Sequence, residues 1–183
     1  MSLINPFVFT TLAMDYDLNE ASTTGYINDG YTISASSEVD SNNQAWKAFD
    51  GTDSTWGSGT GRYAGGVATS LDTFTNSEHP WVVNGAWIKV SCDQRRAIGS
   101  VQLYASAGAT PRPVTWRILT SDNNTDWTVP YIANSDQFGG AASTPVITFP
   151  SRIEGRYFVL QVTATNGIGD LLWLKRVVYG APV

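Results

Sequence analysis

The feature that most constrains this fold is the alternation of apolar and polar side chains in two stretches of the chain. "VTWRILTS" (residues 114–121) and "RYFVLQVTAT" (residues 156–165) place large apolar residues at every second position. Successive side chains of a strand point to opposite faces, so this spacing predicts half-buried β-strands. Five further stretches are rich in β-branched and aromatic residues: "YTISASS", "AWIKVSC", "SVQLYAS", "TPVITF" and "LLWLKRVVYG". Turn-forming segments such as "SDNNTD" and "NGIGD" separate them, which predicts an all-β sandwich or barrel.

The length and composition fit one domain with a substantial core. The chain has 183 residues, of which 42% are hydrophobic, and a chain of this size buries roughly 70% of its unfolded surface. Helical periodicity is nearly absent, and only "QAWKAF" (residues 44–49) predicts a helical turn. The longest stretch without strand signals, residues 58–80, predicts a long loop of the kind that often carries function.

Charge and chain composition argue against several classes of partner. The net charge of −5 disfavours nucleic acid and docking onto anionic lipid, since both need a basic face. No apolar run reaches the roughly 20 residues that span a bilayer, so membrane insertion is not expected. The N-terminal stretch lacks a basic region before an apolar core, which predicts no signal peptide and synthesis in the cytoplasm. Cys92 is the single cysteine, so we expect no internal disulfide and a buried apolar role.

An acidic turn, "FDGTDST" (residues 49–55), lies between two tryptophans. Its oxygen-bearing side chains, Asp50, Asp53 and Thr55, are ligands that calcium accepts. The same residue types also form ordinary turns. The residues alone leave both interpretations open.

The sequence offers little material for catalysis. His79 is the single histidine, in the polar stretch "NSEHPW", so every histidine-based triad would have to use it. Nucleophile elbows, zinc-binding helices and phosphate loops are missing from the sequence. We therefore predict that the protein is not an enzyme.

Several motifs in a fixed order resemble the discoidin family, also called coagulation factor V/VIII type C domains, and the family-32 carbohydrate-binding modules. The motifs are "AWKAFDGTDSTWGS", "WIKVSCDQRRAIGSVQLYA", "PVTWRILTSDNNTDWTVP", "RYFVLQVTATNG" and "LLWLKRVVYG". The resemblance implies a single jelly-roll β-sandwich of the galactose-binding type with long loops. It covers about residues 31–180, which predicts a sandwich at 31–183 and an N-terminal extension or attachment segment at 1–30. The chain lacks the cysteines that join the domain ends in secreted animal members, which places it nearer the bacterial or viral branch.

In this family the acidic turn often holds a structural calcium, completed by a glutamate five residues before the closing glycine. Here that position is Lys175, and an ammonium cannot coordinate a metal. We hypothesise that Lys175 takes the place of the cation through a salt bridge to the turn. The alternative is a solvent-exposed lysine at a strand end. Structural calcium is thus an open but disfavoured expectation, and no other cofactor is expected.

A sugar site needs an aromatic plate for the apolar sugar face and polar groups for the hydroxyls. The long loop and its neighbours supply six candidates: Arg62, Tyr63, Phe74, His79, Trp81 and Arg112. The resemblance therefore implies a non-catalytic surface module that recognises carbohydrate or a cell-surface receptor. A phage or viral particle is the expected setting, where the domain would serve adhesion after release.

The alternative function is a structural virion protein, such as a head decoration, fibre or tail component, held by protein contacts without glycan binding. In that setting "LINPFVFTTL" (residues 3–12) would attach the domain to other virion proteins or to copies of itself. The same segment could instead form a first edge strand of the sandwich.

Overall fold

The architecture is described from a computed structural model that covers residues 27–28, 30–74, 83–106 and 111–180. Antiparallel strands dominate it. They are β1 (Ile27–Asn28), β2 (Tyr31–Ala35), β3 (Trp56–Gly57), β4 (Tyr63–Ala64), β5 (Val67–Ala68), β6 (Thr73–Phe74), β7 (Val83–Asn84), β8 (Ala86–Tyr104), β9 (Pro113–Ser121), β10 (Thr128–Ala133), β11 (Ile147–Thr165), β12 (Trp173–Leu174) and β13 (Arg176–Gly180). The predicted all-β fold is confirmed.

The strands form two layers, because β8 and β11 are long enough to contribute to both. In the front layer, residues 86–92 of β8 pair with β2 and with residues 157–162 of β11, which continues to β9 and β10. In the back layer, the second half of β8 pairs with β13 and with the start of β11. Both strands therefore pass from one layer to the other.

The passage between layers occurs at a corner where the β8–β11 register shifts. The shifts lie between Thr148 and Ile153 and between Gly155 and Tyr157. Gly155 makes this close approach possible, because a Cβ there would lie 2.2 Å from Thr120 Oγ1. The irregular register bends the strands, as bulges do, and closes the sandwich.

The core lies between the layers and follows the predicted alternation. On β11, Phe158 and Leu160 point inward and are buried at about 1% exposure or less. Phe158 packs against Tyr179 of the back layer, with 6.4 Å between ring centroids. Trp116 is buried in the same core, whereas Trp127 is buried in a separate cluster with Phe74. Cys92 is buried, and this burial raises the pKa of its thiol to about 12.

The local predictions meet different outcomes. The expected helical turn is a 3-10 helix at Ala45–Phe49. Asn124, in the predicted turn "SDNNTD", adopts a φ of 65° between β9 and β10. The described part of the predicted long loop, residues 58–74, contains the short strands β4, β5 and β6, which the sequence did not indicate. These strands are only two residues long, too short to show alternation.

The N-terminal region is described only from Ile27. The predicted domain boundary at residue 30 falls in the turn between β1 and β2, which pair with each other in register. The proposed attachment segment, residues 3–12, lies outside the described residues. Within the described ranges, no helix is long and apolar enough to cross a membrane.

Candidate functional site

Two loops are joined at one end of the sandwich, which we call the loop end. They are residues 58–72 and the turn at 166–172 that follows β11. Asp170 connects them, because its carboxylate accepts from Gly61 N at 2.9 Å and its backbone oxygen accepts from Tyr63 N at 2.9 Å. Ser58 N donates to Leu172 O at 3.0 Å, which adds a third connection. The loop sequence that looked irregular is thus held at many points.

Arg62, Asp72 and Ser37 form a polar cluster at the loop end, the Arg62 cluster. The Asp72 carboxylate is buried, accepts from Ser37 Oγ at 2.6 Å and lies 3.5 Å from Arg62 Nε. Gly59 lies directly beside the guanidinium, since a Cβ there would be 2.8 Å from Arg62 Nε. The Arg62 side chain remains 24% exposed. A buried carboxylate therefore fixes an arginine that still reaches solvent.

An open groove of about 330 Å³ lies next to this cluster. Among the described residues, its lining is Ile33, Ser34, Ala35, Ser37 and Glu38. Ser37 belongs to both the groove and the Arg62 cluster. Glu38 Oε1 accepts from Ala45 N at 2.8 Å, which fixes the groove to the 3-10 helix. Ligand sites in proteins commonly have volumes from about 300 Å³ upward, so the groove has the size of a small-ligand site.

Tyr63, a predicted ligand contact, instead belongs to the core. It is 2% exposed, and burial raises the pKa of its phenol. Its hydroxyl donates to Val162 O at 2.9 Å and accepts from Ala86 N at 3.3 Å. The ring that was expected to face a sugar is enclosed by protein, and its hydroxyl anchors the loop to the front layer.

Phe74, the predicted aromatic plate, is likewise enclosed. Its ring packs edge-to-face against Trp127 at 4.8 Å and against Trp87 at 5.8 Å. These rings form a small second core on the outer face of the front layer, with Leu119 and Val159. Aromatic pairs in this geometry stabilise packing, so the structure gives Phe74 a structural role.

His79 and Trp81 lie outside the described residues. The two strands that precede and follow their segment, β6 and β7, are described and pair with each other through Phe74 and Val83. Asp72 of the Arg62 cluster stands next to the first of these strands. The ligand role of both residues remains a prediction.

Arg112 is exposed to solvent over part of its surface but has its own partners. Its Nη2 donates to Asp136 Oδ2 at 3.0 Å, and its guanidinium lies 5.8 Å from the Phe138 ring centroid. Burial raises the pKa of Asp136, but the hydrogen bonds from Arg112 and from the backbone of Phe138 and Gly139, together with the charge of Arg112, outweigh burial, so the pKa is lowered. Arg62 and Arg112 thus pair with different acids in different loops.

The acidic turn contains the three predicted metal ligands. Asp50 is buried, and its Oδ1 accepts from both the backbone nitrogen and the hydroxyl of Thr52 at 2.8 Å. Asp53 is 88% exposed and its Oδ1 lies 2.6 Å from Lys175 Nζ. The hydrogen bond from Lys175 lowers the pKa of Asp53. Thr55 is half-buried at the end of the turn.

The salt bridge hypothesised for Lys175 is present, and a second cation that the sequence did not indicate joins it. Arg176 Nη2 donates to Gly51 O at 2.8 Å, while its guanidinium lies 5.3 Å from the Tyr104 ring centroid. We call Lys175 and Arg176 the basic pair. Together they contact a carboxylate and a backbone carbonyl, which are two of the oxygen types that calcium uses.

The residues present do not fit a calcium ion in the acidic turn. Asp53 is ion-paired, the Gly51 carbonyl is occupied by a guanidinium, and Asp50 accepts hydrogen bonds within the turn. A cation brought to these oxygens would meet two positive side chains. Across the described ranges, no three acidic, histidine or cysteine side chains group as metal ligands.

Comparison with known proteins agrees with this architecture. The sequence profile of the F5/8 type C domain matches residues 32–173, which is most of the chain. The chain belongs to the F5/8 type C domain family. The predicted resemblance is thereby confirmed.

Solved structures share the fold of this F5/8 type C domain at low sequence identity. Chitosan-binding module 1 of a Paenibacillus sp. IK-5 chitosanase/glucanase is 23% identical, with a TM-score of 0.58 over 81% of this chain and 93% of that one. Module 2 of that enzyme, in complex with chitotriose, is 17% identical, with a TM-score of 0.60 over 83% of this chain and 97% of that one. The family-32 module of C. perfringens NanJ, in complex with galactose, is 15% identical, with a TM-score of 0.59 over 82% of this chain and 93% of that one. A search of curated proteins found no significant match.

Proposed function

We propose that this domain is a non-catalytic module that binds carbohydrate at its loop end. The observation that carries the proposal is the Arg62 cluster beside the groove. The partly exposed Arg62 guanidinium can donate to sugar hydroxyls, while the buried Asp72 carboxylate holds it in place. Similar structures that bind galactose and chitotriose support this assignment.

The geometry favours binding over turnover. Asp72 is held by Ser37 and Arg62, and its carboxylate is buried. Glycoside hydrolysis needs two carboxyl groups on opposite sides of the scissile bond, about 5 to 9.5 Å apart. The Arg62 cluster supplies one carboxylate and a fixed cation, an arrangement that orients hydroxyl groups.

The experiment that tests the proposal is a glycan array on the purified protein, followed by titration of the strongest hit. Arg62→Ala should weaken binding at least about tenfold, the loss expected for a charged hydrogen bond of about 1.5 kcal/mol. Arg95→Ala is the matched control, because Arg95 is an exposed arginine on the β8 corner. Binding that survives Arg62→Ala unchanged would rule out this site.

For the setting, we propose adhesion at the surface of a phage or viral particle. The second function, a structural virion protein held by protein contacts, rests on the apolar segment "LINPFVFTTL". A variant without residues 1–12 separates the two. Lost assembly with intact glycan binding assigns that segment to the particle, whereas an array without hits under all conditions favours the structural function.

A further inference from the structure

We infer that the basic pair takes the place of a calcium ion, so that the acidic turn is closed without metal. This inference concerns the turn and holds whether or not the domain binds glycan. It rests on two contacts made by adjacent residues. Lys175 Nζ lies 2.6 Å from Asp53 Oδ1, and Arg176 Nη2 lies 2.8 Å from Gly51 O.

The first part of the argument is charge. The turn contains two carboxylates within four residues, Asp50 and Asp53. Without a counter-charge they would repel each other and oppose closure. Lys175 supplies that counter-charge directly to Asp53, and its bond lowers the pKa of the carboxyl, as a cation would.

The second part of the argument is position. Lys175 stands where the chain leaves β12 and enters β13, and its backbone nitrogen donates to Tyr104 O at 2.8 Å. Arg176 pairs in register with Tyr104 and lies over its ring. The backbones of both residues are therefore anchored to the back layer, and their side chains extend from it to the turn. The turn is joined to the last strand, the connection that a bound ion would otherwise make.

The third part concerns the oxygen atoms that remain. Calcium needs six to eight oxygen ligands. The Thr52 backbone nitrogen and hydroxyl already occupy Asp50 Oδ1, and the basic pair occupies Asp53 and Gly51. Calcium could reach the Asp53 carboxylate only if Lys175 left it. The ammonium and the guanidinium thus exclude the ion while performing its structural task.

The test measures the melting temperature (Tm) and terbium luminescence with and without metal. The wild-type Tm should be the same in chelator and in calcium at about 10 mM, above the dissociation constants of about 1 mM of weak protein sites. Trp46 and Trp56 flank the turn and would sensitise the luminescence of a terbium ion bound there. We therefore expect the wild type to show no saturable terbium emission that depends on Asp53, as judged by comparison with Asp53→Asn. Saturable calcium binding by the wild type, with a rise in Tm that Asp53→Asn abolishes, would overturn the inference.

A charge reversal sharpens the test. Lys175→Glu replaces the ammonium by a carboxylate, so its Tm in chelator should fall, and calcium should restore about 3 °C. Lys47→Glu is the control, because Lys47 carries the same charge but contacts Asn42 O outside the turn. Its Tm should not respond to calcium. A Lys175→Glu protein that folds and gains no calcium response would contradict the inference; if it does not fold, the wild-type titration decides alone.

Discussion

The Arg62 cluster and the acidic turn both fix a loop with an ion pair, but they do so in different surroundings. Asp72 is 4% exposed and shares its carboxylate with Ser37, whereas Asp53 is 88% exposed. Electrostatic interactions strengthen when water is excluded, and so does the penalty for leaving one partner alone. The first pair is therefore a rigid part of the loop end, and the second is a surface contact that salt and pH can weaken.

The largest expected effect is that of Asp72→Ala. It leaves Arg62 beside an apolar gap and removes the partner of the Ser37 hydroxyl, so unfolding should become easier by about 3 kcal/mol. Urea unfolding measures this change. Asp122→Ala is the control, since Asp122 is 58% exposed and pairs with Arg95; its cost should stay below about 1 kcal/mol. Equal losses in the two variants would remove the distinction between buried and exposed pairs.

A smaller effect is expected from the uncharged hydrogen bond by which the Tyr63 hydroxyl anchors the loop. Tyr63→Phe keeps the buried ring but leaves Ala86 N without its hydroxyl partner, which should cost about 1 to 2 kcal/mol in urea unfolding. Glycan affinity should change little, because the ring lies inside the core. Tyr104→Phe is the control, because it removes a half-exposed hydrogen bond from the Tyr104 hydroxyl to Gln102. Its loss of unfolding free energy should be smaller than that of Tyr63→Phe. A large loss of affinity in Tyr63→Phe would restore Tyr63 as a ligand contact.

The smallest effect is the pH dependence of the acidic turn. Lys175 lowers the pKa of Asp53, so this pair contributes stability above the unfolded pKa of about 3.9. The contribution disappears as pH falls through the lower folded value. The Tm of the wild type should exceed that of Lys175→Met by about 1 °C at neutral pH, and the difference should vanish in acid. A difference that instead grows below pH 4 would refute the pairing.

Periodicity predicted the parts of the fold whose strands are long. The inward positions of β9 and β11 follow from alternation alone, and Trp116 and Phe158 are buried accordingly. The burial of Tyr63 could not be predicted in this way, because a two-residue strand is too short to show an alternation of apolar and polar residues. Its neighbours in sequence gave no sign that its hydroxyl would reach Val162 on β11.

The candidate site was predictable only where one residue carried the signal. Lys175 stood at a position where an acid was expected, and that substitution indicated its salt bridge. Arg176 gave no such signal, since its partner is a backbone carbonyl that every residue possesses. The pairing of Arg62 with Asp72 likewise depends on how the loop closes over ten residues, which local sequence does not determine.

The two 19-residue strands, β8 and β11, have a consequence for amide hydrogen exchange. Each is hydrogen-bonded in both layers, so the layers share their two central strands and have no independent interior. Opening that frees the amide of Val90 in the front layer also loosens the strand that holds Val101 in the back layer. We expect these amides to exchange through one common, nearly global opening, while the loop end exchanges through smaller local ones.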